Sequence, residues 1–315
     1  MSALRPDRAL PASAEVREVG PRDGLQSEAP VALADRVRLV DALSATGVRR
    51  IEVASFVRAD AVPAMAGAEE LMASITRRPG VTYTALAPNR RGAERALAAG
   101  ADELESVVSA SETHNQRNLG RSIDDTLGEI AGIVEVAHAA GRSVEAAVAT
   151  AFGCPYEGDV APERVGALAL RLFDLGVDEL YLGDTTGMAT PRRIDEVLDV
   201  LEGSGIDPAA VRLHLHDTRG TGLANAYAAL GRGVTRFDAS VGGLGGCPYA
   251  PGASGNVASE DLVHMLEDLG VSTGIDLEAL IGAAHLAEEI VGRRLPGQLM
   301  RSGPRWARTP VGDGG

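Results

Sequence analysis

Aromatic residues are scarce in this chain of 315 residues, at 3% with a single Trp and four Phe. A core without rings must be filled by Ala, Val, Leu and Ile, and a chain of this length at 45% hydrophobic residues can close one without staples. Cysteine is almost absent: Cys154 and Cys247 are too few for a disulfide framework and form no CxxC pair, which fits a reducing compartment. Positive charge is in deficit, Lys+Arg 30 against Asp+Glu 44 for a net −14. That balance excludes nucleic acid and anionic membrane as expected partners. No apolar run approaches ~18 residues. The first residues, MSALRPDRALPAS, lack the apolar stretch of a secretory signal, so a cytoplasmic location is expected.

Glycine, by contrast, is abundant and placed with a pattern. Four segments begin with Gly and a small apolar residue and pass through mostly polar residues into an apolar run, at Gly47, Gly100, Gly176 and Gly233. Each follows a stretch of helical periodicity. Gly tolerates the left-handed conformation that ends a helix, so these read as junctions from helix to buried strand. Further strand candidates lie between them at Val16–Val19, Val81–Leu86, Val144–Thr150 and Val211–His216. Helical spacing of apolar residues fills the gaps at Leu33–Leu43, Met65–Ile75, Ala93–Ala98, Ile123–Ala137, Val165–Leu175, Ile194–Leu201, Leu223–Leu230 and Leu262–Leu269. Strand and helix alternating eight times predict an α/β fold, the (β/α)8 TIM barrel. The alternative, a doubly wound open sheet, is weakened by the turn after the first strand, Gly20-Pro21-Arg22-Asp23-Gly24, which is no dinucleotide fingerprint. The expected organisation is an N-terminal arm over 1–14, the barrel with an extra C-terminal helix, Leu277–Val291, over 15–291, and a Gly/Pro/Arg-rich tail over 292–315. The tail could cap the barrel, contact another subunit of a homo-oligomer, or stay loose.

Barrel enzymes carry their chemistry at the C-terminal ends of the strands. There this chain places Arg22, Asp23 and Gln26 after strand one, Glu52 and Ser55 on strand two, Asp184 after strand six and His214 and His216 on strand seven. Strand eight leads into the glycine-rich segment Gly242–Asn256, which contains Cys247 and reads as a flap over a substrate. The two histidines, two apart on a strand, share a face and can share a cation. Asp23 and Asn256 add a carboxylate and an amide oxygen. Two imidazoles with two oxygen ligands and no thiolate suit Mg²⁺ or Mn²⁺ better than a closed zinc site. Taken singly these features are weak, since an HxH pair often only satisfies backbone groups and an Arg-Asp dipeptide is usually a surface ion pair. Cys154 reads as structural.

Arg22-Asp23-Gly24-Leu25-Gln26, Ile51–Val57, Leu182–Pro191, His214–Thr218 and Gly242–Asn256 together resemble the 3-hydroxy-3-methylglutaryl-CoA lyase family of barrel metallolyases, whose relatives include the isopropylmalate and homocitrate synthases. The resemblance runs from about Glu15 to about Val291. It implies metal-dependent retro-Claisen cleavage of an acyl-CoA, HMG-CoA, to acetyl-CoA and acetoacetate. It further implies that Asp23, His214, His216 and Asn256 bind the cation, with His214 also catalytic, that Arg22 steadies the thioester enolate and that Cys247 protonates it. Glu52 would orient Arg22 or the substrate, and Gln26 and Ser55 would touch the substrate. Asp23 and Asp184 both remain candidates for the general base. Ser109–Asn118 and Leu295-Pro296-Gly297-Gln298 resemble the bacterial members, and this leaves open a lyase for another 3-hydroxyacyl-CoA, such as a citramalyl-CoA-like ester. A condensing synthase is disfavoured by the short stretch after Val291. A non-catalytic metal-binding scaffold would need neither Arg22 nor Cys247.

Overall fold

The computed structural model describes residues 10–246 and 255–307. Eight parallel strands, β1 (Glu15–Glu18), β2 (Arg50–Ser55), β3 (Thr82–Leu86), β4 (Glu103–Ser109), β5 (Ser143–Ala149), β6 (Glu179–Gly183), β7 (Val211–His214) and β8 (Arg236–Ala239), follow one another in sequence order, and β8 pairs back onto β1 to close a barrel. Around it run α1 (Leu33–Ser44), α2 (Ala68–Ser74), α3 (Arg90–Ala98), α4 (Glu112–Leu119), α5 (Ile123–Ala139), α6 (Pro162–Asp174), α7 (Pro191–Gly203), α8 (Gly222–Gly231), α9 (Ser259–Asp268), α10 (Leu277–Val291) and α11 (Leu299–Ser302). The fold is the expected (β/α)8 barrel. Gly47, Gly100, Gly176 and Gly233 stand at φ 89, 87, 89 and 93°, a region that a side chain would strain, so each helix stops where its glycine turns the chain into the next strand.

The helices bury one stripe each. In α6 it is Val165, Leu168, Ala169 and Leu172, and in α7 Ile194, Val197, Leu198 and Leu201, the three- and four-residue spacing of a helix laid on a sheet. Side-chain caps from Asn89, Ser111, Ser122, Thr190 and Asp276 accept first-turn N–H groups and set where five helices begin. One of them, α4, begins within Ser109–Asn118, where apolar spacing is too sparse to mark a helix; Ser111 at its start and Gly120 past its end define it instead.

The barrel interior departs from the aliphatic core that composition leads one to expect. Ile51, Val53, Leu104, Val144, Leu180, Leu213 and Phe237 are buried against the helices, while the alternate positions meet inside as an ion lattice. Arg17 donates from Nε to Asp238 Oδ1 (2.8 Å) and from Nη2 to Asp238 Oδ2 (2.7 Å), and also pairs with Glu105 (3.0 Å) and Glu145. Arg212 donates to Glu145 (3.0 Å) and Glu15 (2.6 Å). Arg17 is 0% exposed. A charge so deep persists only because three carboxylates surround it.

The tail is neither loose nor separate over its described part. Leu295, Leu299 and Met300 are buried, Gly297 N–H donates to Gly242 O (2.9 Å), and Asp261 accepts from the N–H groups of Gln298 and Leu299. The chain past Val291 therefore packs under the base of the glycine-rich segment. Among the described residues, no helix is long and apolar enough to cross a membrane.

Candidate active site

The rim at the C-terminal ends of the strands is organised by the turn after β1. Residues Gly20–Gly24 form one wide helical turn, anchored from below by Glu18, which accepts from Gly20 N–H (2.7 Å), Val241 N–H (2.9 Å) and Ser259 Oγ (2.6 Å). A Cβ at position 20 would sit 2.7 Å from Glu18 Oε1 and 2.9 Å from Val241, so only glycine lets the turn press against both. That turn delivers Arg22 and Asp23 to the barrel mouth. Arg22 donates from Nε to Glu52 Oε1 and from Nη1 to Asp23 Oδ1 (2.8 Å), so its guanidinium is held between two carboxylates.

Asp23 meets the two histidines. Nε2 of His214 lies 3.8 Å from Asp23 Oδ2 and 3.1 Å from His216 Nε2, and one ligand atom from each of the three residues lies within 4.8 Å of the others. Burial would raise the Asp23 carboxyl, but Arg22 and the two imidazoles outweigh it and hold it well below its ordinary range. Burial and the neighbouring His214 push His216 down to about 3, so its ring is neutral, the form that can ligate a metal. His214 Nδ1 stands 3.1 Å from Asp238 Oδ2, the carboxylate that Arg17 grips. A proton held on Nδ1 by that carboxylate leaves the Nε2 lone pair directed at Asp23 and His216, the carboxylate–histidine arrangement of metal sites. The donor set fits a divalent cation. Asn256 donates from Nδ2 to Asp23 Oδ2 (2.8 Å) and Leu244 O (3.2 Å), placing it behind Asp23 at the cluster's edge.

His216 lies beyond the end of β7, not on it. It is held by an antiparallel bridge to Asn256, and Asp217 N–H donates to Gly255 O (2.7 Å). The two ends of the glycine-rich segment touch here: a Cβ at position 255 would come within 3.0–3.1 Å of the Gly246 backbone. Cys247 lies outside the described residues. Cys154 is buried and free, and its thiol donates to Ser111 Oγ (3.0 Å), in keeping with a structural role.

A cavity of about 300 Å³ opens over the cluster, lined by Arg22, Asp23, His214 and His216 on one side and by Val57, Leu86, Val107 and Ala147 on the other. Gln26 and Ser55 line it as well; Glu52, Asn256 and Asp184 do not. Asp184 accepts from Met188 N–H (2.7 Å) and Ala189 N–H (2.9 Å) and so closes the turn after β6. A second cavity of about 640 Å³ shares Ser27 and Gly246 with the first and continues along Arg293, Arg294 and Arg301. Arg293 is paired with Glu28 and Arg301 with Glu288, whereas Arg294 has no ion pair among the described residues. The residues that motif reading missed are Asp238 and Arg17, which steady His214 from below. Their signal was present as charges at alternate positions of β1 and β8, Glu15 and Arg17 on one and Arg236 and Asp238 on the other.

The profile of the HMGL-like family matches residues 14–287. The chain belongs to that family. The hydroxymethylglutaryl-CoA lyase YngG of Bacillus subtilis is 46% identical over 288 residues, spanning 91% of this chain and 96% of that protein. The (R)-citramalyl-CoA lyase of Chloroflexus aurantiacus is 44% identical over 298 residues, 91% of this chain and 94% of the relative. Among solved structures, an HMG-CoA lyase from Acinetobacter baumannii in complex with coenzyme A and 3-methylmalate aligns with a TM-score of 0.91 at 41% identity, covering 96% of this chain and 99% of that one. Family membership makes the chain a carbon–carbon lyase.

Proposed function

We propose that the protein cleaves 3-hydroxy-3-methylglutaryl-CoA to acetyl-CoA and acetoacetate at the Asp23, His214 and His216 cluster, with Mg²⁺ or Mn²⁺ as cofactor. The observation that carries this reading is the convergence of that cluster with a fixed guanidinium, Arg22, in one cavity that opens onto a basic groove. Breaking the C2–C3 bond requires the tertiary hydroxyl to lose its proton, the thioester to accept the electron pair, and the new carbanion to gain a proton. Asp23, His214, His216 and Asn256 would hold the cation, which when bound lowers the pKa of the substrate hydroxyl. Of the two carboxylates open to the role of base, Asp23 faces the cavity and Asp184 is engaged in its turn, so Asp23 is assigned the hydroxyl proton. Arg22, positioned by Glu52 and with donors left over, steadies the enolate oxygen. Cys247, whose chain neighbour Gly246 lines the cavity, is assigned the proton delivered to C2. Gln26 and Ser55 contact the acyl group, and the groove past Arg293 and Arg294 receives the phosphates of coenzyme A. The reaction is placed in the cytoplasm, consistent with a free Cys154.

The test is a product assay over HMG-CoA and citramalyl-CoA with Mg²⁺ or Mn²⁺, repeated after chelation. Acetyl-CoA and acetoacetate should form from HMG-CoA, stop with chelator and resume when metal is restored. Preferential cleavage of citramalyl-CoA would replace the substrate and keep the chemistry, and the absence of any product would overturn the lyase reading.

A further inference from the structure

The cavity over the ligand cluster is also lined by one of the few aromatic residues in the chain. Tyr181 projects from β6, registered between Ala147 of β5 and Arg212 of β7, and lines the cavity while remaining buried. The Arg17 guanidinium carbon lies 5.0 Å from its ring centroid, and the His214 ring centroid lies 6.4 Å away. The ring therefore forms a floor between the ion lattice and the reaction chamber, steadied by a cation–π contact. Burial and the Glu105 and Glu52 carboxylates hold the hydroxyl's pKa well above its ordinary value, against the opposing pull of Arg17 and Arg22. That hydroxyl has no hydrogen-bond partner among the described residues.

Position explains what the hydroxyl faces. The basic groove joins the chamber at Ser27 and Gly246, on the β1 and β8 side. An acyl group entering there reaches the cluster on β1 and β7 first, and its distal end then points to β6. The chamber's other donors belong to other strands or serve other groups: Arg22, on the β1 side, is held by Glu52 and Asp23, Ser55 stands on β2, and Thr185 Oγ1, past the end of β6, already accepts from Thr150 N–H (2.9 Å). A phenol keeps its proton at neutral pH and donates without adding charge above a lattice that is already dense with it.

We propose that Tyr181 determines acyl specificity, its hydroxyl donating a hydrogen bond to the distal carboxylate of the acyl group and its ring setting how far that carboxylate stands from the carbinol carbon. The assignment rests on the lyase reading and names the part of the substrate that this site reads. Acyl-CoA esters with a short distal carboxylate are the class it takes.

The experiment compares the binding of glutaryl-CoA, butyryl-CoA and adipyl-CoA by calorimetry in the presence of Mg²⁺. None of these thioesters carries a 3-hydroxyl, so none is cleaved, and failure of the lyase reading would show separately as missing product from HMG-CoA. Tyr181→Phe keeps the ring over Arg17 and should weaken glutaryl-CoA binding by tenfold or more, the loss expected for a hydrogen bond to a charged group, with butyryl-CoA unchanged within about twofold. Tyr181→Leu should show the same selective loss and also narrow the wild-type preference for glutaryl-CoA over adipyl-CoA. Equal losses for glutaryl-CoA and butyryl-CoA, or no loss for either, would overturn the hydroxyl's role. An unchanged preference for glutaryl-CoA over adipyl-CoA in Tyr181→Leu would overturn the ring's.

Discussion

Asp238→Asn removes one charge at the joint between the ion lattice and the ligand cluster and leaves the side chain's shape intact. Asp238 faces two donors: Arg17, through both carboxylate oxygens, and His214 Nδ1 at 3.1 Å. An asparagine has one oxygen to offer, and its NH₂ cannot face a guanidinium, so the oxygen turns to Arg17 and the amide meets His214 Nδ1. The imidazole then favours the tautomer with its proton on Nε2, the nitrogen that faces Asp23 and His216, and a protonated nitrogen cannot ligate. Loss of such an orienting partner weakens metal binding by about 10–100-fold, or roughly 1.4–2.7 kcal/mol. Stability should fall too, by about 3 kcal/mol, the low end for breaking a buried ion pair, because Arg17 keeps Glu105 and Glu145. Calorimetric titration of chelator-stripped protein with Mn²⁺, beside urea midpoints, separates the two effects. A destabilised variant that binds Mn²⁺ within twofold of wild type would refute the tautomer argument and leave Asp238 as a lattice residue only.

Arg22→Gln should lower kcat by about 10²–10³ in steady-state assays while Mn²⁺ titration shows binding retained, and Arg22→Lys should recover little, since an ammonium lacks the planar fork that Glu52 orients. A nearly active Lys variant would count against enolate stabilisation. Glu18 supplies a pH test: burial, opposed by hydrogen bonds from Ser259, Val241 and Gly20, raises its carboxyl to about 7. A carboxyl raised on folding binds its proton more tightly in the native state, so its contribution is full below the unfolded value and is lost as pH rises through about 7. Glu18→Gln mimics the protonated acid and should flatten the decline of the urea midpoint between pH 5 and pH 8; an unchanged slope would show that Glu18 does not titrate there.

Much of the site was legible because its residues sit beside punctuation. Arg22 and Asp23 follow β1 within a turn bracketed by Gly20 and Gly24, and His214 closes β7 with His216 two residues past it, so strand ends could be located and their polar residues gathered at one rim. Asp184 occupies such an end as well, yet its carboxylate turns back to cap Met188 and Ala189, and no spacing distinguishes a carboxylate that faces a cavity from one that closes its own turn. The short helix α4 escaped for a related reason, since it is set by caps and buries only His114 and Asn115.

By itself the sequence determined the order and kind of the elements that alternate around the barrel: each glycine junction stops a helix through its own backbone freedom, a local property that needs no partner. It also determined which residue types stand at the rim. Only the tertiary structure decided what lies within the barrel. Arg17, Glu105, Glu145, Arg212 and Asp238 each follow an apolar residue on their strands, which resembles the pattern of a sheet with one face in water. Closure of eight strands turns that polar face inward, where low polarisability makes every charge depend on a partner from a distant strand, and Arg17 finds Asp238, 221 positions away.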